Sequence, residues 1–219
     1  MRWLATLLAT ALLAPTATAQ TRPVNSPPLS DAQAAKRVKH SSWEPRPANR
    51  KANRHVLSQR QLRTFRAKSD MPYEARVTGR YRGTTDEIIQ WAAAKHGIDV
   101  DVMRAAAVIE SWWRMSTIGD NGDSFGLYQI RRPYHCCPGL ARNSTAFNAD
   151  YYGAIIRAFY DGRETWLNTV ERGVDYRQGD LWGSVGAWFS GRWHTSGANA
   201  YVARVRETQS AKTWRSKDF

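Results

Sequence analysis

Five segments after Thr84 combine helical spacing of apolar residues with helix start and stop signals, and this pattern constrains the fold most. In the first, Thr84 and Glu87 form a capping-box pattern, and Gly97 ends the helix. The other four are predicted over residues 100–112 after Asp99, from Asn148 to Gly162, over residues 181–189 after Asp180, and after Ser196. No alternating strand pattern competes with them, so we predict a single, mainly α domain over residues 84–219.

Positive charge is concentrated before this domain. Of the formal net charge of +13, residues 20–83 carry +11, from 15 Lys/Arg against 4 Asp/Glu, and residues 84–219 carry only +1. Residues 20–83 also contain six prolines and few large aliphatic side chains. Such a composition buries too little apolar surface to fold, so we predict a disordered, flexible basic linker with one short amphipathic helix over residues 57–68.

The linker has three interpretations. It could bind an anionic cell-wall polymer, it could bind nucleic acid, or it could be a solvated tether without a partner. Aromatic residues that could stack on bases are few in this segment, so nucleic acid is not an expected partner. The anionic polymer and the plain tether both stay open.

The first 19 residues have the layout of a secretory signal. Arg2 is followed by an apolar run over residues 3–14 and by Ala17-Thr18-Ala19, which predicts cleavage after Ala19. The run is too short to span a bilayer comfortably, so a retained anchor is the weaker alternative. We expect a secreted or cell-envelope protein, extracellular or periplasmic, without stable membrane insertion.

Cys136 and Cys137 are adjacent in the chain. Consecutive α-carbons lie about 3.8 Å apart, which is shorter than the usual disulfide window. A strained bridge between the two, an intermolecular pairing and two partly buried thiols are all open. Together with His135 they fall short of the four ligands of a structural zinc site, so we expect no metal and no other cofactor.

Glu110 is a lone carboxylate near the end of the second predicted helix. The residues on its side of that helix are apolar: Met103, Ala106, Ala107 and Trp113. Desolvation raises a carboxyl pKa, and a carboxyl that is protonated near neutral pH can donate a proton to a leaving oxygen, as glycoside cleavage requires. The alternative is a solvated glutamate on the rim of the helix.

A polar loop and a second apolar run follow Glu110. The loop, Gly-Asp-Asn-Gly-Asp-Ser over residues 119–124, suits tight turns, and Asp120 and Asp123 are possible second carboxylates. The next run ends near Gln129, whose amide can donate to and accept from a sugar hydroxyl or acetamido group. The spacing does not say whether either aspartate faces Glu110.

In their order, these motifs resemble the catalytic domain of the soluble lytic transglycosylase family, part of the lysozyme-like superfamily with the goose-type lysozymes. Glu110-Ser111 matches the family's Glu-Ser pair, and residues 126–129 (Gly-Leu-Tyr-Gln) match its Gly-Leu-Met-Gln. Residues 187–191 (Ala-Trp-Phe-Ser-Gly) lie where the family has Ala-Tyr-Asn-Ala-Gly, and residues 201–205 resemble its closing Tyr-Val-x-x-Val. The ordered matches span roughly residues 84–210.

The resemblance implies a lysozyme-like fold and cleavage of the β-1,4 bond between N-acetylmuramic acid and N-acetylglucosamine in peptidoglycan. Glu110 would act as general acid and then as general base. The 6-hydroxyl of the muramic acid would attack and leave a 1,6-anhydro end, without an enzyme nucleophile. Substrate contacts would come from Ser111, Ser124, Tyr128, Gln129, Trp188 and Tyr201.

Three departures from the family pattern keep alternatives open. Trp188 replaces a tyrosine, Phe189 replaces an asparagine, and Asp120 and Asp123 add acid to the loop. A second carboxylate placed to activate water favours hydrolysis, the outcome of a lysozyme-type muramidase. The changed Trp188-Phe189 pair is also compatible with a noncatalytic wall-binding protein of the same fold.

Overall fold

The computed structural model describes residues 27–169 and 175–219, so the predicted secretory signal lies outside the described residues. Within them the protein is mainly helical, as the sequence predicted. The helices are α1 (Asp31–Ala35), α2 (Arg50–Arg54), α3 (Gln59–Lys68), α4 (Thr85–His96), α5 (Val100–Ser111), α6 (Pro138–Asn143), α7 (Thr145–Tyr160), α8 (Leu181–Ser190) and α9 (Ser196–Ala211). Short 3-10 turns lie at Pro47–Asn49, Glu74–Arg76, Asp120–Gly122, Thr165–Thr169 and Thr213–Arg215.

A small antiparallel sheet, which the sequence did not predict, follows α5. Its strands are β1 (Ile118–Gly119), β2 (Ser124–Phe125) and β3 (Ile130–Arg131), in the order β1-β2-β3. Each strand has two residues, too few for an alternating pattern to be visible in the sequence. The sheet turns the polar loop after Glu110 back on itself.

The signals that begin and end α4 and α5 are confirmed. The Thr84 hydroxyl accepts a hydrogen bond from the Glu87 N–H (3.3 Å), and the Glu87 carboxylate accepts one from the Thr84 N–H (2.8 Å). Gly97 ends α4 in the left-handed conformation that glycine adopts at low cost. The Asp99 carboxylate caps α5, which stops one residue before the predicted end because Trp112 is left-handed.

Two helices, α7 and α9, have other N-terminal caps than the sequence predicted. The structure begins α7 at Thr145, capped by the Ser144 hydroxyl, and Asn148 lies inside the helix. Its side-chain amide donates to the Phe125 carbonyl (2.9 Å) and accepts from the Tyr128 N–H (2.8 Å), so it fixes the site loop instead of capping. The cap of α9 is Thr195 and not Ser196. The Asp180 cap of α8 is confirmed.

The long helices pack around two apolar clusters, and α7 and α8 contribute residues to both. α5 packs against α4 and α9, and α7 packs against α4 and α8. The largest fully buried side chains there include Trp91, Trp113, Tyr128 and Tyr152. Because α5 contacts both α4 and α9, a side chain near its C-terminal end is held between several elements. No helix among the described residues is both long and apolar enough to span a membrane.

The described part of the predicted linker, residues 27–83, is not a flexible tether. It folds onto the domain through α1, α2 and α3, and the predicted amphipathic helix is present as α3. Phe65 of α3 is fully buried and packs edge-to-face on Phe147 of α7, with ring centroids 5.2 Å apart. The buried apolar residues of the segment are Ala34, Val38, Leu57, Leu62, Phe65, Met71 and Val77. The composition argument was wrong because these few residues share a core with the rest of the domain.

A buried ionic cluster also joins this segment to the domain. One oxygen of Asp150 on α7 accepts hydrogen bonds from the N–H groups of Thr78 (2.8 Å) and Gly79 (3.0 Å) and from Lys95 Nζ (2.7 Å). Its other oxygen lies 2.7 Å from His96 Nε2. Burial alone raises the pKa of Asp150, but the Lys95 charge and the His96 hydrogen bond outweigh it and hold the pKa well below its usual range.

Candidate active site

Glu110 lies one residue before the end of α5, where the chain leaves the helix for the sheet. Trp112 and Trp113 both adopt left-handed backbone angles (φ 54° and 57°) and redirect the chain there. The hydroxyl of Ser111 bonds to the Leu127 carbonyl across the turn. The end of α5 is therefore fixed to the loop, and Glu110 points between α8 and α9.

Both hydrogen bonds to the Glu110 carboxylate end on the same oxygen. The Tyr201 hydroxyl donates to Oε1 at 2.5 Å, and Trp188 Nε1 donates to it at 3.2 Å. Oε2 accepts no hydrogen bond from the described residues. It is also not a fully buried atom, since the buried side-chain atoms that lack a partner do not include it. One oxygen is thus held in place while the other is free to meet a reacting group.

The environment of Glu110 favours its protonated form. Burial raises its pKa to about 7, the hydrogen bonds from Tyr201 and Trp188 oppose the shift, and the charge of Asp120 adds to it. Arg204 lowers the pKa slightly without forming an ion pair with Glu110. The structure therefore places this acid in the desolvated surroundings that the helical spacing of α5 predicted.

Aromatic rings build the wall behind Glu110. The Tyr152 ring stacks on Tyr128 (centroids 4.0 Å apart) and meets Trp188 edge-to-face (5.0 Å). The Tyr152 hydroxyl is buried without a hydrogen-bond partner among the described residues. Phe189 stacks on Tyr201 at 4.8 Å and is 54% exposed, so it offers an apolar ring at the edge of the site.

His135, which the sequence offered only as a metal ligand, packs against Trp188 at the candidate site. Its ring stacks on Trp188 (5.2 Å, 12° between planes), and its Nδ1 lies 3.0 Å from the Tyr151 hydroxyl. Burial lowers its pKa to about 4, so the ring is neutral near pH 7. The stack orients the indole that donates to Glu110. No local pattern in the sequence could reveal it, because the contact joins a loop to a distant helix.

Of the six predicted substrate-contacting residues, Trp188 and Tyr201 donate hydrogen bonds to Glu110. Tyr201 is only 2% exposed, so its predicted substrate contact is wrong and its role is to hold the carboxyl. Two others are also buried inside the protein. Ser111 is 6% exposed and its hydroxyl donates to the Leu127 carbonyl (2.8 Å). Tyr128 is fully buried and its hydroxyl donates to the Met103 carbonyl (3.1 Å). Neither is accessible to a substrate, so their predicted contacts are wrong and their role is to hold the loop.

Ser124 and Gln129 are also engaged by the protein. Ser124 is 1% exposed and its hydroxyl donates to Asp120 Oδ2 at 2.5 Å, which corrects its predicted contact with a sugar. The Gln129 amide donates to the carbonyls of Gly126 (2.8 Å) and Thr117 (3.2 Å). Gln129 is only partly buried, so its side chain stays close to the surface of the loop.

The two loop aspartates have different surroundings. Asp120 lies at the turn between β1 and β2, with its side chain 49% exposed and Oδ2 at 3.6 Å from Arg131 Nε. Its charge raises the pKa of Glu110. Asp123 is likewise ion-paired, with Arg132. Asp120 is therefore the better candidate for a second carboxylate.

Cys136 and Cys137, which follow His135, are joined to each other in a disulfide. Of the open alternatives, the structure adopts the bridge between neighbours, so neither sulfur is a free thiolate that could bind a metal. In residues 27–169 and 175–219, no group of three or more His, Cys, Asp or Glu side chains could hold a metal ion.

Comparison with known proteins adds no assignment: no family model matches the chain, and no curated protein and no solved structure matches it. The resemblance to lytic transglycosylases thus rests on the motifs alone. Any function has to be argued from the geometry around Glu110.

Proposed function

We propose that the protein is a peptidoglycan lytic transglycosylase with a lysozyme-like domain, which acts in the cell envelope or outside the cell. The observation that carries this proposal is a single carboxyl with a pKa of about 7, held through Oε1 with Oε2 free. Such a group is partly protonated and partly ionised near neutral pH, so it can both give and accept a proton. This is what cleavage of a glycosidic bond requires of one residue.

In the proposed reaction, Glu110 Oε2 gives its proton to the oxygen between N-acetylmuramic acid and N-acetylglucosamine as the C1–O bond breaks. The substrate's own acetamido group can assist at C1. The ionised Glu110 then takes the proton of the muramic acid 6-hydroxyl, whose oxygen bonds to C1 and closes the 1,6-anhydro ring. No water is consumed, and Glu110 returns to its protonated form.

The surrounding residues support this assignment through position and charge. Tyr201 and Trp188 fix Oε1, so the proton of the carboxylic acid is directed to Oε2. The exposed Phe189 ring beside Tyr201 offers an apolar face to a pyranose ring. Asp120 Oδ2 accepts from Ser124 and lies 3.6 Å from Arg131 Nε, so this oxygen is already engaged, which favours the substrate's hydroxyl over an activated water.

One observation favours a second candidate, a hydrolytic muramidase. Asp120 is half exposed, and its charge reaches Glu110. If it activated a water on the other side of the sugar, cleavage would leave a reducing end. A noncatalytic wall-binding protein is the remaining alternative, and the same experiment separates all three.

The test is digestion of purified peptidoglycan with the exported form of the protein, followed by mass spectrometry of the released muropeptides. Anhydro products, lighter by one water than hydrolytic ones, support the proposal. They should be absent with Glu110→Gln and unchanged in type with Asp120→Asn. Reducing ends that disappear with Asp120→Asn would support the muramidase. Binding to the glycan without any release would contradict both enzymes.

A further inference from the structure

A strongly basic surface lies in the part of the chain that was predicted to be a linker. Residues 50–68 contain seven Lys/Arg and no Asp/Glu, and we name this the α2–α3 surface. Its cationic side chains are all exposed: Arg50, Lys51, Arg54, Arg60, Arg63, Arg66 and Lys68. Charge of one sign over 19 consecutive residues creates a positive field that extends into solvent.

The protein does not neutralise this charge itself. Within the described part of the chain, none of the seven cations forms an ion pair. Only Arg66 has a hydrogen bond from its side chain, to the Ala75 carbonyl (3.1 Å). The like charges repel one another, and a bound polyanion would remove that repulsion.

The backbone that carries the α3 charges is held in a fixed position. Leu62 and Phe65 bury one side of α3, and at 100° per residue Arg60 and Arg63 fall on the opposite side. At a rise of about 1.5 Å per residue they lie about 4.5 Å apart along the helix axis. Ser58 caps the helix through a capping box. The helix is formed before binding, so only the side chains, and not the backbone, lose freedom when the cations bind.

The α2–α3 surface lies beside the candidate active site. Cys136 Sγ is 4.0 Å from the carbonyl oxygen of Phe65 on α3. The residue before it, His135, stacks on Trp188, which donates to Glu110. A polymer bound to α3 would therefore lie one loop away from the Trp188–Glu110 pair.

We propose that the α2–α3 surface binds a linear, phosphodiester-linked polymer of the cell envelope, with poly(glycerol phosphate) as the simplest example. Leu57, Leu62 and Phe65, its large apolar residues, are buried, so none can insert into a lipid surface. The same burial of Phe65 leaves no aromatic ring here to stack on a base. A regular series of phosphates complements the positive charge of this surface. Its binding requires neither insertion into lipid nor stacking on an aromatic ring. This proposal extends beyond glycan cleavage; it rests on the proposed location of the protein in the cell envelope and not on the cleavage reaction.

The test measures binding of fluorescent poly(glycerol phosphate) by anisotropy at about 50 and 200 mM salt, a range over which phosphate contacts change affinity strongly. The variant Arg60→Gln/Arg63→Gln/Lys68→Gln should weaken binding by about tenfold or more at the lower salt and flatten the salt dependence. Arg66 is left unchanged because its hydrogen bond to Ala75 is structural.

A matched control removes three exposed charges elsewhere, as Arg177→Gln/Arg192→Gln/Lys217→Gln. It has the same net charge as the first variant, and it should weaken binding less than about threefold. Equal losses in the two variants would overturn the proposal, because only total charge would then matter. Tighter binding at the higher salt to duplex DNA of equal charge, or to phosphatidylglycerol vesicles, would also overturn it. Thermal unfolding of each variant checks that the fold is retained.

Discussion

Asp150 on α7 is fully buried and Glu110 on α5 is partly buried, and their pKa values shift in opposite directions. Asp150 contacts Lys95 and His96 and accepts two backbone N–H groups, so it is ionised in spite of its burial. Glu110 has two aromatic donors and no ion pair among the described residues, so desolvation prevails and its pKa rises to about 7. Burial disfavours the charged carboxylate at both sites. The presence or absence of nearby cations decides whether the pKa falls or rises.

The difference separates a structural carboxylate from a chemical one. A carboxylate that stays ionised across the physiological range cannot exchange protons, but it can tie Thr78 and Gly79 to α4 and α7. A carboxyl that titrates near pH 7 contributes less to folding and is suited to acid–base catalysis. Five variants test this contrast, beginning with the largest expected effect.

Asp150→Asn should reduce the free energy of unfolding by about 3–5 kcal/mol, because Lys95 is left buried without its counter-charge. Urea unfolding near neutral pH measures the loss. The surface control Asp123→Asn, which breaks a partly exposed pair with Arg132, should cost less than about 1 kcal/mol. Since the folded pKa of Asp150 is depressed, its contribution is present above the unfolded pKa and falls as acid is added. If Asp150→Asn lost no more stability than the control, the claim that Asp150 is a structural carboxylate would be contradicted.

Glu110→Gln should have the opposite effect on stability. The folded pKa is raised, so the wild type loses stability as pH rises from the unfolded pKa toward about 7. The variant should therefore be more stable than the wild type by about 1–3 kcal/mol at about pH 8, with little difference at about pH 4. Urea unfolding at both pH values measures this, with the exposed Glu207→Gln on α9 as the control. A difference in stability between variant and wild type that does not change with pH would contradict the raised pKa.

Tyr201→Phe sharpens the comparison at Glu110 itself. Its hydroxyl lowers the pKa of the carboxyl, so its removal should raise that pKa. The basic limb of the pH–rate profile for peptidoglycan cleavage should move up by about 0.5–1 pH unit. Trp188→Phe should move it in the same direction by less, because the indole hydrogen bond is longer. A downward shift in either variant would show that the hydrogen bonds stabilise the neutral acid.

Asp120→Asn should produce the smallest change. Loss of its negative charge lowers the pKa of Glu110 and moves the basic limb down. We expect only about 0.2–0.5 pH unit, because the Asp120 side chain is half exposed and solvent screens it. The shift should shrink as salt is added. A large shift that does not depend on salt would indicate direct contact between the two carboxyls.

The fold was predictable where its signals are local. Thr84, Glu87 and Gly97 lie within the turns that they cap, and their roles are as predicted. The packing of residues 27–83 was not predictable, because average composition does not say where seven buried apolar side chains will meet a partner. The error shows that a low apolar content excludes an independent core and does not exclude a shared one.

At the site, the sequence identified the acid better than its surroundings. Helical spacing was enough to place Glu110 on the apolar side of α5. Ser111 matches the family motif and Tyr128 stands where that motif has Met, but both are buried and hold the loop, so a position in the motif did not indicate access to substrate. The stack of His135 on Trp188 and the Asp150 cluster join elements that are far apart in the chain. Only the folded structure brings them together.

The most direct measurement is a carbon-13 NMR titration of the side-chain carboxyl groups, with Glu110→Gln and Asp150→Asn used to assign the two signals. We expect the Glu110 carboxyl to titrate with a midpoint near pH 7 and the Asp150 carboxyl to show no titration between about pH 4 and 9. A Glu110 midpoint near the ordinary glutamate value would contradict the account, because neither burial nor the aromatic donors would then prepare this residue to act as an acid.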